Sequence, residues 1–217
     1  SKHVDHNFIT TDPSILKNQN INLKNPHFFF VPVDKNIECL NVHTQNPVKD
    51  LFYAMSHGVN RATLKKGKSD SRIHFLDKLI KKLDGINYDF YGFKDKEPIW
   101  GNDFYKALIN SKMGLNLSRG LPTKYYTSNR IASLMGNGLL TFVDKKTKLN
   151  DFFNKNEIIT YDNVNDLADK IRFFKKNNIL RKKIAHNGKK KYFKKINESK
   201  ITKFIIEKSL GNSIKIY

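Results

Sequence analysis

Two short basic segments carry the residue types with which proteins hold phosphate groups. In the first, Arg61 and Lys66 stand five positions apart, Gly67 follows the lysine, and Gly58 precedes the arginine. This combination suits a diphosphate, because two cations neutralise its charge and the glycines let the backbone approach closely. An exposed basic turn in a lysine-rich chain has the same spacing, so both interpretations stand at this point.

The second segment begins at Ser128. Ser128 and Asn129 predict the start of a helix, where free N–H groups and the positive end of the helix dipole attract anions. Arg130 falls in the first turn of that helix, where a cation is unfavourable to the helix itself. The arginine therefore indicates either a bound anion or an ion pair with an acidic neighbour such as Asp103.

Several common sites are missing from the sequence. No Gly-x-Gly-x-x-Gly or Gly-x-x-x-x-Gly-Lys-Ser/Thr motif occurs, which argues against a dinucleotide enzyme and a P-loop NTPase. The seven histidines lack metal-ligand spacing, and the single Cys39 can form neither an internal disulfide nor a cysteine metal cage. His57 ends the first predicted strand, where it could contact a ligand or pack against the turn at Gly58. No catalytic residue can be assigned from spacing.

An alternation of short apolar runs and helical patterns positions the two basic segments. The predicted strands are 51–55, 88–93, 115–118, 139–143 and 157–161. Helices are predicted to begin after Asp70, Asn102, Ser128 and Asn163, with two more in 179–210, and Gly114 is expected to end the second. The pattern predicts an α/β fold with a Rossmann-like, doubly wound parallel sheet. Ligands of such sheets bind beyond the carboxyl ends of the strands, where the strand order reverses. The loops 56–70, 93–103 and 118–130 are expected to meet there.

The chain is expected to divide into three parts. Residues 1–47 are rich in Asn and Pro and are interpreted as the tail of an amino-terminal domain with a linker. Residues 48–196 form the Rossmann-like domain, and 197–217 form a final helix and tail. Ser1 to Thr10 carry neither an apolar signal region nor an initiating Met, which indicates a segment of a longer chain.

Charge is the most unusual feature of the composition. The 217 residues carry a formal net charge of +20, which attracts nucleic acid, anionic lipid or phosphorylated small molecules. Only six of the cations are arginine, and the planar arginine fork dominates nucleic-acid recognition, so nucleic acid is not the favoured partner. An apolar content of 39% excludes a wholly disordered chain. No apolar run approaches the roughly 18 residues that span a bilayer. The cytosol is the default compartment.

In this order, the segments resemble the carboxyl-terminal, nucleotide-sugar-binding half of a GT-B glycosyltransferase. Arg61-x4-Lys66-Gly67 resembles the loop with which family-four-type enzymes hold the donor diphosphate. Ser128 to Leu140 is similar to the helix and strand of CgeB-type spore-maturation glycosyltransferases. Arg181-x-x-Ile184-Ala185-x-x-Gly188 is similar to their closing helices. The resemblance covers about residues 50–200.

The sequence departs from that pattern at the ribose. The family's ribose-binding glutamate corresponds to Ser133, and the acidic residue eight positions earlier corresponds to Tyr125. A serine keeps one hydrogen bond to the ribose but loses the two-pronged carboxylate clamp. The residues that the resemblance implies for donor binding are Arg61, Lys66, Gly67, Ser128, Asn129, Arg130 and Ser133, with Gly58, His57 and Tyr125 as further candidates.

The resemblance implies a transferase that moves a sugar from a nucleoside-diphosphate sugar to a glycan, lipid or other acceptor. It implies no metal and no other cofactor, because the chain's own charges stabilise the departing diphosphate. With the cytosol as the default compartment, the surplus charge allows contact with the inner face of a membrane or with polyanionic acceptor glycans. The last helix resembles one that braces the amino-terminal domain, so Phe204, Ile205 and Ile206 are expected to be partly exposed.

Two other functions stay open. The first is a non-catalytic Rossmann-like module that binds nucleic acid or anionic surfaces through the lysine-rich stretch 173–195. That stretch also fits a solvated helical face with lysines outside and apolar residues inside. The second is a scaffold derived from a transferase that has lost the ribose clamp.

Overall fold

The computed structural model describes residues 4–18, 20–56, 63–64, 68–118 and 120–215. Its strands are β1 (Asn7–Ile9), β2 (Pro26–Phe28), β3 (Lys49–Ala54), β4 (Thr63–Leu64), β5 (Lys68–Ser69), β6 (Tyr88–Tyr91), β7 (Ser111–Asn116), β8 (Leu140–Asp144) and β9 (Ile159–Tyr161). Its α-helices are α1 (Ser14–Asn18), α2 (Ser71–Ile80), α3 (Gly101–Ile109), α4 (Asn129–Gly136), α5 (Val164–Lys176), α6 (Asn178–Lys195) and α7 (Glu198–Ser209).

Five of these strands form one sheet in the order β6-β3-β7-β8-β9, and every neighbouring pair is parallel. From β3 the chain passes to β6 on one side and then returns to β7 on the other side of β3. The strand order therefore reverses between β3 and β7, which is where a doubly wound sheet opens a crevice. The predicted fold class is confirmed.

The sheet is covered by helices on both faces, which is why its strands read as apolar runs rather than as alternating patterns. Strand residues such as Leu51 and Tyr53 pack in one cluster with α2 and α5, whereas Phe52 packs in another with α3 and α4. Helices α2, α5 and α7 begin at residues whose side chains accept hydrogen bonds from the first turn, namely Asp70, Asn163 and Asn197.

Gly114 was expected to end a helix, and that prediction is wrong. It lies in the middle of β7, where a Cβ atom would collide with the side chain of Leu134. Helix α4 approaches the sheet closely at this point, so the glycine is required by packing and not by a helix end. The expected cap at Asn102 is also wrong, because α3 begins one residue earlier at Gly101, whose φ of +55° suits glycine.

Residues 4–47 pack against the sheet domain. Phe30, Val33 and Val42 are fully buried, and Val33 forms a bridge with Asn197 at the start of α7. The expectation that Phe204 is exposed is wrong, since its side chain is buried and its ring lies edge-on to Phe8. Ile206 is half exposed, as predicted. The division at residue 47 stays a prediction.

Candidate functional site

A cleft of about 420 Å³ opens at the carboxyl edge of the sheet, beside the end of β3. Its walls come from the end of β3, the first turns of α3 and the first turns of α4. Among the described residues it is lined by Ala54, Met55, Ser56, Ile99, Trp100, Gly101, Phe104, Tyr105, Asn129, Arg130 and Ser133. Three of the sequence-predicted residues, Asn129, Arg130 and Ser133, are thus brought together in one cavity.

Arg130 ties the two central strands together at this edge. Its Nε donates to the carbonyl of Ala54 at 3.0 Å, and one Nη donates to the carbonyl of Leu117 at 2.9 Å. Its guanidinium also faces the buried ring of Tyr53 at 5.0 Å from the centroid. The side chain is therefore fixed by uncharged acceptors. Its second Nη has no hydrogen-bond partner within the described chain.

The expected ion pair between Arg130 and Asp103 is absent, because Asp103 pairs with Lys106 at 3.2 Å instead. Across the described residues, no carboxylate lies within ion-pair distance of Arg130. The positive charge of Arg130 is held in place but not neutralised. Such a charge favours a bound anion.

Helix α4 opens onto the same cleft without a side-chain cap. Ser128 occupies the cap position with extended backbone, yet its hydroxyl does not accept a hydrogen bond from the helix. Within the described chain no acceptor reaches the N–H groups of Asn129 and Arg130, whereas the first turns of α2, α5 and α7 are capped. The positive end of the α4 dipole is consequently available to a ligand.

Asn116 lies beneath this helix start. It ends β7 two residues after Gly114, so it shares the sheet face that α4 covers, since side chains alternate along a strand. Only 2% of Asn116 is exposed, and neither its amide nitrogen nor its amide oxygen has a partner in the described chain. The Oγ of Ser128 is likewise buried and unpartnered. Buried polar atoms are normally satisfied by protein or by ordered water, so these atoms can accept a partner from outside the described chain.

An aromatic wall lines the same cleft as Asn129, Arg130 and Ser133. It is formed by Trp100, Phe104 and Tyr105 from the first turns of α3. Trp100 is 66% exposed, which is unusual for the largest aromatic side chain. An exposed flat ring beside polar donors provides a surface on which a planar ligand group can stack.

The loop that carries the first basic segment is anchored at this edge at both ends. It leaves the cleft at Ser56 and ends at Asp70, which is buried and forms a 2.5 Å ion pair with the buried Arg72. Burial acts against the charge of Arg72, but the hydrogen bonds from its guanidinium to Asp70 hold its pKa above the usual value. The predicted residues His57, Gly58, Arg61, Lys66 and Gly67 lie outside the described residues.

Tyr125 is held away from the lining of the cleft. Its hydroxyl donates to Asp151 at 2.9 Å, and its ring packs against Phe28 and Phe152. Its backbone has a φ of +58° and its N–H donates to the carbonyl of Thr147. Through these contacts, Tyr125 supports the loop that leads into α4.

The sequence analysis missed Asn116 and the aromatic wall. Trp100 is the only tryptophan in the chain and lies in one of the loops expected at the edge, so its rarity was an available signal. Asn116 lay in a predicted strand and gave no signal, because its burial and its missing partners depend on α4.

The described residues contain no group of three or more His, Cys, Asp or Glu side chains that could hold a metal ion. Within the same residues, no helix is long and apolar enough to cross a membrane.

Solved structures with the same fold come from several bacteria. HepE of Anabaena, in complex with UDP, has a TM-score of 0.63 at 9% identity, over 97% of this chain and 65% of that one. A mutant of S. aureus TarM, in complex with fondaparinux, α-GlcNAc-glycerol and UDP, has a TM-score of 0.60 at 16% identity, over 97% of this chain and 44% of that one. Sucrose-phosphate synthase of Thermosynechococcus elongatus has a TM-score of 0.57 at 12% identity, over 96% of this chain and 59% of that one.

The chain therefore spans less than two thirds of each of these proteins, and its fold matches the Rossmann-like domains of the GT-B class. None of the curated proteins matches the chain. Residues 71–206, which are well over half of the chain and include β6 to β9, α3 and α4, match the family described as glycosyl transferase-like. The chain belongs to the glycosyl transferase-like family.

Proposed function

We propose that this chain is the donor-binding part of a transferase that takes its sugar from a nucleoside-diphosphate sugar. The observation that carries the proposal is the uncapped start of α4, which lies above the unpartnered amide of Asn116 and beside the uncompensated charge of Arg130. All three favour an anion with several oxygen acceptors, and they lie at the position where doubly wound sheets bind ligands.

The pyrophosphate of the donor fits the polar side of the cleft. The N–H groups of Asn129 and Arg130 and the free Nη of Arg130 are donors for its oxygens. By the family resemblance, Arg61 and Lys66 supply further charge from the loop that starts at the cleft, and Gly67 lets its backbone approach the diphosphate closely. Positive charge fixed in this way stabilises the nucleoside diphosphate as the glycosidic bond breaks, so we propose that no metal is needed.

The nucleoside fits the aromatic side of the cleft. The exposed ring of Trp100 offers a stacking surface for a base, since such stacking tolerates every base type. Ser133, at the position of the family's ribose-binding glutamate, lines the cleft one helical turn after Asn129. We propose that its hydroxyl provides a single hydrogen bond to the ribose, in place of the two that a carboxylate would make.

The acceptor and the compartment belong to the whole protein and are proposed from the resemblance alone. We propose a glycan or lipid acceptor and a cytoplasmic enzyme that contacts the inner face of a membrane. The relation to the CgeB-type subfamily is proposed on the same basis. No catalytic residue is assigned.

The single tryptophan makes the site directly measurable. Fluorescence of Trp100 should change on titration with the correct nucleotide out of UDP, GDP, CDP and ADP, because the ring lies in the cleft. The same nucleotide at about 100 times its dissociation constant should stabilise the chain by about 2.7 kcal/mol in a thermal melt. Arg61→Ala should weaken that binding sharply while leaving the fold intact.

The control for the titration is N-acetyltryptophanamide, whose fluorescence corrects for absorption of light by the nucleotides. If none of the four nucleotides or their sugar conjugates changed the Trp100 signal or the melting temperature, the donor-binding proposal would be wrong. A non-catalytic module would then be the better description.

A further inference from the structure

We propose that the turn between α5 and α6 is a docking surface for anionic lipid membrane. The surface is called the α5–α6 elbow and consists of residues 172–183. This proposal rests on the membrane contact proposed above and assigns that contact to a surface at the opposite edge of the sheet from the cleft. Lys175 in the elbow pairs with Asp50 at the start of β3, and Arg181 donates to the carbonyl of Lys112 at the start of β7.

Apolar side chains are exposed at the elbow. Ile179 is 86% exposed, Phe173 is 50% exposed and Leu180 is 39% exposed. Three large apolar residues within eight positions at one tip of the molecule differ from the single exposed apolar residues that any surface carries. Membrane-surface segments place such residues at the boundary between headgroups and acyl chains.

Free lysines accompany these apolar residues. Phe173 and Lys176 are three positions apart on α5, and Ile179 and Lys183 are four positions apart on α6, so each pair shares a helical face. Lys176 and Lys183 are exposed and make no hydrogen bond or ion pair within the described chain. Each arm of the elbow thus presents one apolar side chain and one unpaired cation together.

Along the chain, the elbow lies in a long stretch without acidic residues, and Arg172 at its start pairs with Asp169, which directly precedes that stretch. Residues 170–197 contain twelve Lys and Arg and neither Asp nor Glu. An anionic lipid surface matches this distribution, because each nearby lysine gains attraction to the headgroups while Ile179 and Phe173 gain burial. Nucleic acid matches it less well, since exposed aliphatic side chains gain nothing from a phosphate backbone, and only the cations would contribute.

The position of the elbow keeps the cleft accessible. Helices α5 and α6 meet at the amino edge of the sheet, whereas the cleft opens at the carboxyl edge. A chain docked through the elbow therefore leaves the donor cleft facing away from the lipid.

The test is cosedimentation of the full 217-residue chain with vesicles of phosphatidylcholine, alone or mixed with phosphatidylglycerol. The chain should sediment only with the mixed vesicles. Phe173→Ser combined with Ile179→Ser should lower the partition coefficient at least about tenfold. Lys176→Gln combined with Lys183→Gln should lower it about 25-fold, since each lysine near an anionic surface contributes about fivefold.

Matched controls distinguish binding through the elbow from binding through exposed apolar or basic side chains elsewhere. Leu121→Ser removes a side chain that is 87% exposed at the carboxyl edge, and Lys35→Gln with Lys155→Gln removes two exposed lysines elsewhere. These variants should bind the mixed vesicles like the wild type. All four variants should keep the melting temperature and the nucleotide response of Trp100, so a failure of the elbow and a failure of donor binding are distinguishable.

Three results would overturn the proposal. The first is equal sedimentation with neutral and anionic vesicles. The second is equal loss in the elbow variants and their controls. The third is salt-sensitive binding to duplex DNA that the lysine variants abolish and the Phe173→Ser, Ile179→Ser variant retains, together with no vesicle binding, which would assign the surface to nucleic acid.

Discussion

At the amino edge of the sheet, the buried carboxylate of Asp50 accepts hydrogen bonds from Lys112 at 2.7 Å, from Lys175 at 2.8 Å and from the N–H of Asn87 at 3.0 Å. Arg181, buried next to it, donates to the carbonyl of Lys112 and to the side chain of Asn178. At the carboxyl edge, Asn116 is equally buried and has no partner within the described chain.

The two edges belong to one sheet and have similar burial, so burial alone does not explain the difference. At the amino edge, the buried carboxylate of Asp50 is satisfied by side chains of the same chain, which is the normal condition of buried polar groups. At the carboxyl edge, the described chain leaves the amide of Asn116 without a partner, and Arg130, which lines the cleft, is met only by carbonyls. An unpaired buried polar group costs about 1–3 kcal/mol. The contrast supports the proposal that a ligand binds at the carboxyl edge.

The largest effect is expected from Asp50→Asn at the amino edge. The variant removes two ion pairs from a buried group, so we expect a loss of about 3 kcal/mol in the free energy of unfolding. Nucleotide binding at the other edge should not change. Denaturant unfolding measures the first quantity and the fluorescence of Trp100 measures the second.

The pH dependence of the free energy of unfolding provides an internal control for Asp50→Asn. Burial raises the pKa of Asp50, but the hydrogen bonds from Lys112, Lys175 and Asn87 outweigh it and hold the pKa below the usual 3.8. A lowered pKa in the folded state gives stability that is complete above pH 3.8 and lost as the pH falls through the folded value. The wild type should lose this stability as the pH falls, whereas Asp50→Asn, which has no carboxyl group at that position, should not. Nucleotide binding that fell with Asp50→Asn at neutral pH would mean that the two edges are coupled.

The second-largest effect is expected from Arg130→Lys at the carboxyl edge. Lysine keeps the charge, but its single nitrogen cannot replace the planar fork in which Nε and one Nη bond the carbonyls of Ala54 and Leu117 and the other Nη stays available to a ligand. We expect nucleotide affinity to fall at least about tenfold, which is about 1.4 kcal/mol. Isothermal titration with the nucleotide identified for the wild type measures it.

Arg172→Lys is the matched control, because Arg172 lies at the amino edge, where it bonds Asp169 and the carbonyl of Lys82. It should bind nucleotide like the wild type. Full affinity in Arg130→Lys would show that Arg130 only ties the strands together and takes no part in binding.

The smallest effect on stability is the most informative one. Asn116→Leu removes an amide that has no partner, so the free energy of unfolding should stay the same or rise by about 1 kcal/mol. Nucleotide affinity should fall, since the amide then no longer reaches the ligand. Denaturant unfolding and nucleotide titration on the same preparation measure the change in stability and the change in affinity together.

Asn137→Leu is the control for Asn116→Leu. Asn137 is fully buried, but its oxygen accepts from the N–H of Leu40 and its nitrogen donates to the carbonyl of Ser133. The same substitution there should cost about 2 kcal/mol, because it leaves the backbone N–H of Leu40 without its acceptor, while the carbonyl of Ser133 keeps the N–H of residue 137. If Asn116→Leu proved as destabilising as Asn137→Leu, the carboxyl edge would be complete without a ligand and the comparison would fail.

Much of the fold followed from local patterns. The runs around Leu51, Phe90 and Phe142 indicated strands, and Asp70 and Asn163 indicated helix starts, because strand propensity and capping act over a few residues. Their regular alternation was enough to predict the parallel sheet. Gly114 was misread because a glycine that ends a helix and a glycine that admits a neighbouring helix look alike until Leu134 is placed.

The sequence by itself determined the class of fold, the two basic segments and the placement of Arg130 at a helix start. Only the tertiary structure decided that, among the described residues, the charge of Arg130 is met by two carbonyls and no carboxylate, that Asp103 pairs with Lys106, and that Asn116 is buried without a partner. The physical reason is that hydrogen-bond satisfaction depends on atoms far apart in the chain, which propensities do not encode. The free lysines at the elbow and the unpaired amide of Asn116 can be recognised only once the contacts of the surrounding polar groups are known.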